Sequence, residues 1–131
     1  MPDIKVTVTG TPPQGTYTST SNKVQSDGTI SINPGITTIE FDRGNNQSWN
    51  FMSPWITFSP SSSPFTVDTA NCGDGQVSMS DNDPGGGQDT TYQYTLYTNQ
   101  GTFDPEIINK GSNVAVESKA KAPSPKGGYN K

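Results

Sequence analysis

Apolar residues in this chain recur at every second position, in short runs separated by turn formers. Ile4, Val6 and Val8 alternate with Lys5, Thr7 and Thr9, which predicts a first strand with one buried face. Residues 10–15, with Pro12-Pro13 set between two glycines, predict a connector. Lys23-Val24-Gln25-Ser26 and Thr29-Ile30-Ser31-Ile32 flank Asp27-Gly28, a pair that tolerates the positive φ of a type I′ turn and so predicts a hairpin. Asn33-Pro34-Gly35 predicts a reversal into a strand from Ile36 to Asp42, where Ile39 and Phe41 alternate with Glu40 and Asp42. Pro54 stands where its missing N–H does little harm, at the start of a strand Trp55-Ile56-Thr57-Phe58. Phe65-Thr66-Val67 and Gln76-Val77-Ser78-Met79 predict two more strands, and Asp81 to Thr90, rich in Gly and Asp, predicts a loop.

Tyr92-Gln93-Tyr94-Thr95-Leu96-Tyr97 alternates again, a Gly turn follows, and Asp104-Pro105 opens a strand through Asn109, which together predict a closing hairpin. Val114 and Val116 allow one last strand within Asn113 to Glu117. From Ser118 the periodicity stops. The expected organisation is a β-sandwich domain over residues 1–117 and a flexible basic tail over 118–131. Seven to nine short strands at roughly 8–12-residue spacing, with no stretch for a crossover helix, predict an all-β sandwich of two sheets.

Composition agrees. Leu96 is the only leucine, while β-branched and aromatic residues supply most of the apolar surface, as a pleated half-buried sheet requires. Hydrophobic content is only 27%, yet charged residues make up only 15%, so the high charge of a disordered chain is missing. The net charge of −4 is uneven: three basic and eleven acidic side chains precede residue 110, a net of −8, and five basic against one acidic follow. An acidic body repels phosphate, which argues against nucleic acid as a partner. No stretch approaches the roughly 18 apolar residues of a membrane span, and Met1-Pro2-Asp3-Ile4-Lys5 lacks the basic and apolar regions of a signal peptide, so the expected location is cytoplasmic. Cys72 is alone and forms no intrachain disulfide, in keeping with a reducing compartment.

The run Tyr92-Gln93-Tyr94-Thr95-Leu96-Tyr97, followed by Phe103-Asp104-Pro105-Glu106-Ile107-Ile108-Asn109, resembles the closing signature of the DP-EP family of small bacterial proteins. The resemblance implies a single Greek-key β-sandwich, immunoglobulin-like or cupredoxin-like, without a metal centre; it implies no chemistry. The motif has a physical reading of its own. Asp104 is suited to cap the turn, Pro105 fixes φ at the strand entrance, and Ile107 or Ile108 re-enters the core.

Candidate chemistry is sparse. The chain has no histidine, so a blue-copper site, a structural zinc site with Cys72 and the usual Ser-His-Asp or Cys-His nucleophiles are all excluded. Cys72, between Asn71 and Gly73 with Asp74 beyond, has no nearby cation to activate it and reads as a loop or buried thiol. No cofactor is expected. Asp81, Asp83 and Asp89 punctuate a Gly-rich segment in a way that suits a hard cation such as calcium, although the same residues compose ordinary turns. Glu40 and Asp42 share one strand face and read as solubility residues rather than a glycosidase pair. Trp49 and Trp55, with Phe51 and Phe58, are candidates for stacking on sugar rings; the competing reading buries at least one Trp in the core. The expected function is therefore a non-enzymatic, monomeric or weakly associating interaction or structural module, with addition of a partner's strand to a free sheet edge as its expected mode. A carbohydrate- or calcium-binding module is the alternative.

Overall fold

A computed structural model describes residues 2–60 and 64–111. Within them the period-two pattern becomes ten strands: β1 Ile4–Thr11, β2 Gln14–Thr18, β3 Ile30–Ile32, β4 Gly35–Arg43, β5 Phe51–Ser59, β6 Phe65–Val67, β7 Gln76–Asp83, β8 Thr90–Thr98, β9 Gly101–Phe103 and β10 Glu106–Asn109. A single 3₁₀ turn, Thr69–Asn71, joins β6 to β7. The possible strand at 113–117 and the tail at 118–131 lie outside the described residues.

The strands form two five-stranded sheets. The first has the order β2-β1-β4-β7-β6; the second has the order β3-β10-β8-β5 and carries β9, which pairs with β8. Both are mixed, because β1 runs parallel to β4 and β10 runs parallel to β3. Neither parallel pair uses a helix; the chain instead passes between sheets, so each pair is joined by strands and turns. The fold is an all-β sandwich.

Burial follows alternation closely. In β1 Ile4, Val6 and Val8 point inward, and in β4 Ile39 and Phe41 do. Val77 and Met79 of β7 complete the first sheet's inner face, against Ile56, Tyr94, Leu96, Phe103 and Ile107 from the second. Aromatic pairs cross the interior: Phe41 and Tyr94 have ring centroids 5.3 Å apart, and Phe58 stacks on Phe65 at 3.9 Å. Tilted and stacked ring contacts of this kind add to area burial.

The predicted closing hairpin is present and longer than its label suggests. Pairing of β8 with β9 and then β10 keeps one register from Thr98↔Gly101 to Thr90↔Asn109, and Tyr94 N–H donates to Pro105 O across the gap at 2.9 Å. Asp104 braces this hairpin across the strands rather than capping its turn: the Thr95 hydroxyl donates to Oδ1 at 2.8 Å, and the Thr102 hydroxyl to Oδ2 at 3.3 Å. Ile107 enters the core, as one of the two predicted isoleucines must, and Ile108 stays half-buried.

Two expectations are corrected. The Asp27-Gly28 turn forms, with the Asp27 carboxylate accepting the Thr29 N–H at 2.9 Å, but its arms make only a Val24↔Ile30 bridge. β3 builds its continuous ladder on the opposite edge, with β10, and the 23–26 arm touches its outer edge only through that bridge. Second, the predicted loop at 81–90 shrinks to Pro84–Asp89, because β7 continues through Asp83.

Candidate functional site

Trp49 is not a surface platform. It is 1% exposed, sits in the connection between β4 and β5, and donates its indole N–H to Gly10 O at 2.8 Å. Its ring lies edge-on to Phe51 and Phe103, at centroid distances of 5.0 and 5.3 Å. A chain with few large apolar residues places this one between the sheets, so the sugar-stacking role expected for Trp49 is withdrawn. Trp55 is half-buried against the core, at a register shift in β5 and with φ of 73°. The two tryptophans therefore do not make one exposed surface.

Asp81 and Asp83 are also inside. They occupy inward positions of β7, 0% and 3% exposed, as though the alternation of Val77 and Met79 simply continued. Across the interior Asp81 meets Asn109 of β10, itself 3% exposed, which donates its carboxamide N–H to Asp81 Oδ1 at 3.0 Å. Asp83 Oδ1 accepts the Gly85 N–H at 2.8 Å. Burial, reinforced by the nearby Asp83 carboxylate, pushes the Asp81 carboxyl up to about 6, against the lowering effect of Asn109. Asp89 stands apart on the surface: it accepts the Gly111 N–H at 2.8 Å and pairs with Lys110 at 3.4 Å, and the first of these contacts holds its carboxyl below the usual range. The three loop aspartates thus do not converge, and among the described residues no three His, Cys, Asp or Glu side chains are grouped to hold a metal.

The outer face of the first sheet carries a second polar cluster. Register places Lys5 beside Glu40 and Thr7 beside Asp42, so Lys5 reaches both acids, at 3.4 Å to Glu40 and 3.7 Å to Asp42. The Glu40 and Asp42 side chains are only 14% and 28% exposed, far from free solvent. Desolvation, then the hydrogen bond and charge of Glu40, raises the Asp42 carboxyl to about 6 despite Lys5. Shallow clefts flank the pair. One, of about 290 Å³, is lined by Thr38, Glu40, Asp68, Asn71 and Gln76; the other, of about 470 Å³, by Lys5, Thr7, Thr18, Ser19 and Asp42.

Cys72 has a structural place. Its thiol donates to Asp68 O at 3.3 Å and accepts the Ser78 N–H at 3.4 Å, and burial raises it above its ordinary range. Sequence reasoning missed two participants, Lys5 and Asn109. Asn109 had a signal: Ile107 faces inward, so Asn109 two residues on must as well. Among the described residues no helix is long and apolar enough to cross a membrane. No protein-family model matches the chain, and no curated protein shows significant similarity to it.

Proposed function

We propose that the domain is a non-enzymatic recognition module for a protein partner, and that its working surface is the outer face of the β2-β1-β4-β7-β6 sheet. One observation carries this reading: Glu40 and Asp42 are held side by side and half-buried on a solvent-facing sheet. Like charges adjacent on a sheet face destabilise it, and Lys5 offsets them only in part. A basic side chain from a partner would complete the neutralisation, and the clefts on either side give its neighbours somewhere to lie. The net charge of −8 before residue 110 favours the same kind of partner through long-range attraction. The likeness of residues 92–109 to DP-EP proteins enters this proposal as hairpin construction only.

Strand addition is the less favoured mode, because each sheet edge carries a protective device. β2 follows Pro12-Pro13, β6 has three residues and follows Pro64, and β5 contains Pro54 and a register shift. The outer edge of β3 is covered where Ser31 N–H donates to Lys23 O at 2.9 Å.

The test is a titration of isotope-labelled protein with an array-selected Lys/Arg-containing peptide. Shifts centred on Lys5, Glu40 and Asp42 are expected, with affinity falling at least about tenfold in an E40Q/D42N variant and falling again with added salt. Shifts centred on another face, or binding indifferent to the double variant, would overturn the assignment.

A further inference from the structure

The interior cluster of Asp81, Asp83 and Asn109 has an arrangement that packing does not explain. Each side chain is anchored through one polar atom and leaves one oxygen over. Asp81 uses Oδ1 to accept from Asn109, Asn109 uses its amide nitrogen to donate to Asp81, and Asp83 uses Oδ1 to accept from Gly85. The atoms left over are Asp81 Oδ2, Asp83 Oδ2 and Asn109 Oδ1, all buried and none with a hydrogen-bond partner in the protein. Unpaired buried oxygens are costly, on the order of 1–3 kcal/mol each and more when charged. All three are acceptors, on side chains brought to one end of the interior by the Asp81–Asn109 hydrogen bond and by the i, i+2 spacing of Asp81 and Asp83 on the inward face of β7, and they ask for a cation or for protons.

Their surroundings are those of a site rather than an accident. The cluster lies where the Asn33-Pro34-Gly35 reversal passes between the sheets: Gly35 is the register partner of Asp83, and Ile32 that of Asn109. Two strands of the first sheet and two of the second therefore meet there, and the position of each donor is fixed by a ladder. Asn109 is informative because it is not acidic: a carboxamide turned with its oxygen unpaired, 3% exposed, is an oxygen donor with nothing to receive it. All three donors are hard oxygens, which suit calcium over softer metals.

We propose that Asp81 Oδ2, Asp83 Oδ2 and Asn109 Oδ1 are side-chain ligands of a calcium ion bound between the two sheets. Calcium takes about six to eight oxygens, so backbone carbonyls and water supply the remainder. Asp89, exposed and already paired with Lys110 and Gly111, is not a ligand. Calcium takes carboxylates in their ionised form, so binding competes with protonation of the site.

The experiment is calorimetric titration of the full chain with calcium chloride after chelator treatment, at pH 7.5, alongside thermal unfolding. Saturable one-to-one binding is expected, with a melting temperature raised by at least about 5 °C at saturation. Asp83→Asn retains an oxygen for the Gly85 N–H and is expected to fold while losing affinity at least about tenfold; Asp89→Asn is expected to bind as the unaltered protein does. Asn109→Asp adds a charged ligand and is expected to bind more tightly. The proposal is overturned if the unaltered protein takes up no calcium at millimolar concentration. It is equally overturned if D89N abolishes binding while D83N does not.

Discussion

Asp81 shows how a single side chain ties stability to solution conditions. Its folded-state carboxyl titrates near 6 instead of 3.8, so the native state holds that proton more tightly than the unfolded chain does. The stability this contributes is fully present below about 3.8 and is lost as pH rises through about 6. Asp42 behaves in the same direction for the same leading reason, burial. Asp27 and Asp89, whose carboxyls are lowered by backbone hydrogen bonds, act in the opposite sense, but only below their ordinary range. In chelator the melting temperature is therefore expected to fall between pH 4 and about 6.5. Asp81→Asn should flatten part of that slope and raise the melting temperature at pH 7.5, since a neutral amide leaves no buried charge to desolvate; a slope unchanged in D81N would refute the assignment. The inward placement of Asp81 and Asp83 was legible as parity, because Val77 and Met79 fix which positions of β7 face the core. Gly85, Gly86 and Gly87 obscured it, since loop composition and strand parity overlap across Asp81–Asp83.

At the scale of elements, local signals were read well and partners poorly. The β8–β9–β10 hairpin could be anticipated from alternation and the Asp-Pro entrance because its two arms are neighbours in sequence. At Asp27-Gly28 the same logic predicts a full hairpin, whereas the first arm gives a single bridge; the continuous ladder of β3 is with β10, on its other edge and far along the chain, and no local pattern encodes that choice. The turn survives for a reason of packing. Gly28 has φ of +92°, and a Cβ there would stand 2.6 Å from Pro105 Cβ and 2.8 Å from Tyr17 Cε1. Its carbonyl also accepts the buried Tyr94 hydroxyl at 2.6 Å, locking the turn to the middle of β8. Gly28→Ala is expected to lose about 2–4 kcal/mol through backbone strain and displacement of Pro105. A denaturant midpoint that moves down with an unchanged slope would register this, and an unfolding free energy within about 0.5 kcal/mol of the original would contradict the packing argument.

For the whole molecule, charge and topology set the behaviour. With eleven acids against three bases before residue 110, the body repels itself, and raising salt from about 10 to 150 mM should increase the melting temperature. A decrease would mean that ion pairs such as Lys5 with Glu40 outweigh the repulsion. The sandwich as an architecture was visible from strand spacing, whereas its sheet order rests on contacts between distant segments. That order has a consequence for biosynthesis. Every strand of the β2-β1-β4-β7-β6 sheet has been made once Asp83 has emerged, while three strands of its opposite layer are still to come. A nascent chain paused between Asp83 and Asn109 would thus present Val6, Phe41 and Val77 to the cytosol-like medium around a ribosome. That interval is when a chaperone, or an unwanted neighbour, has its opening.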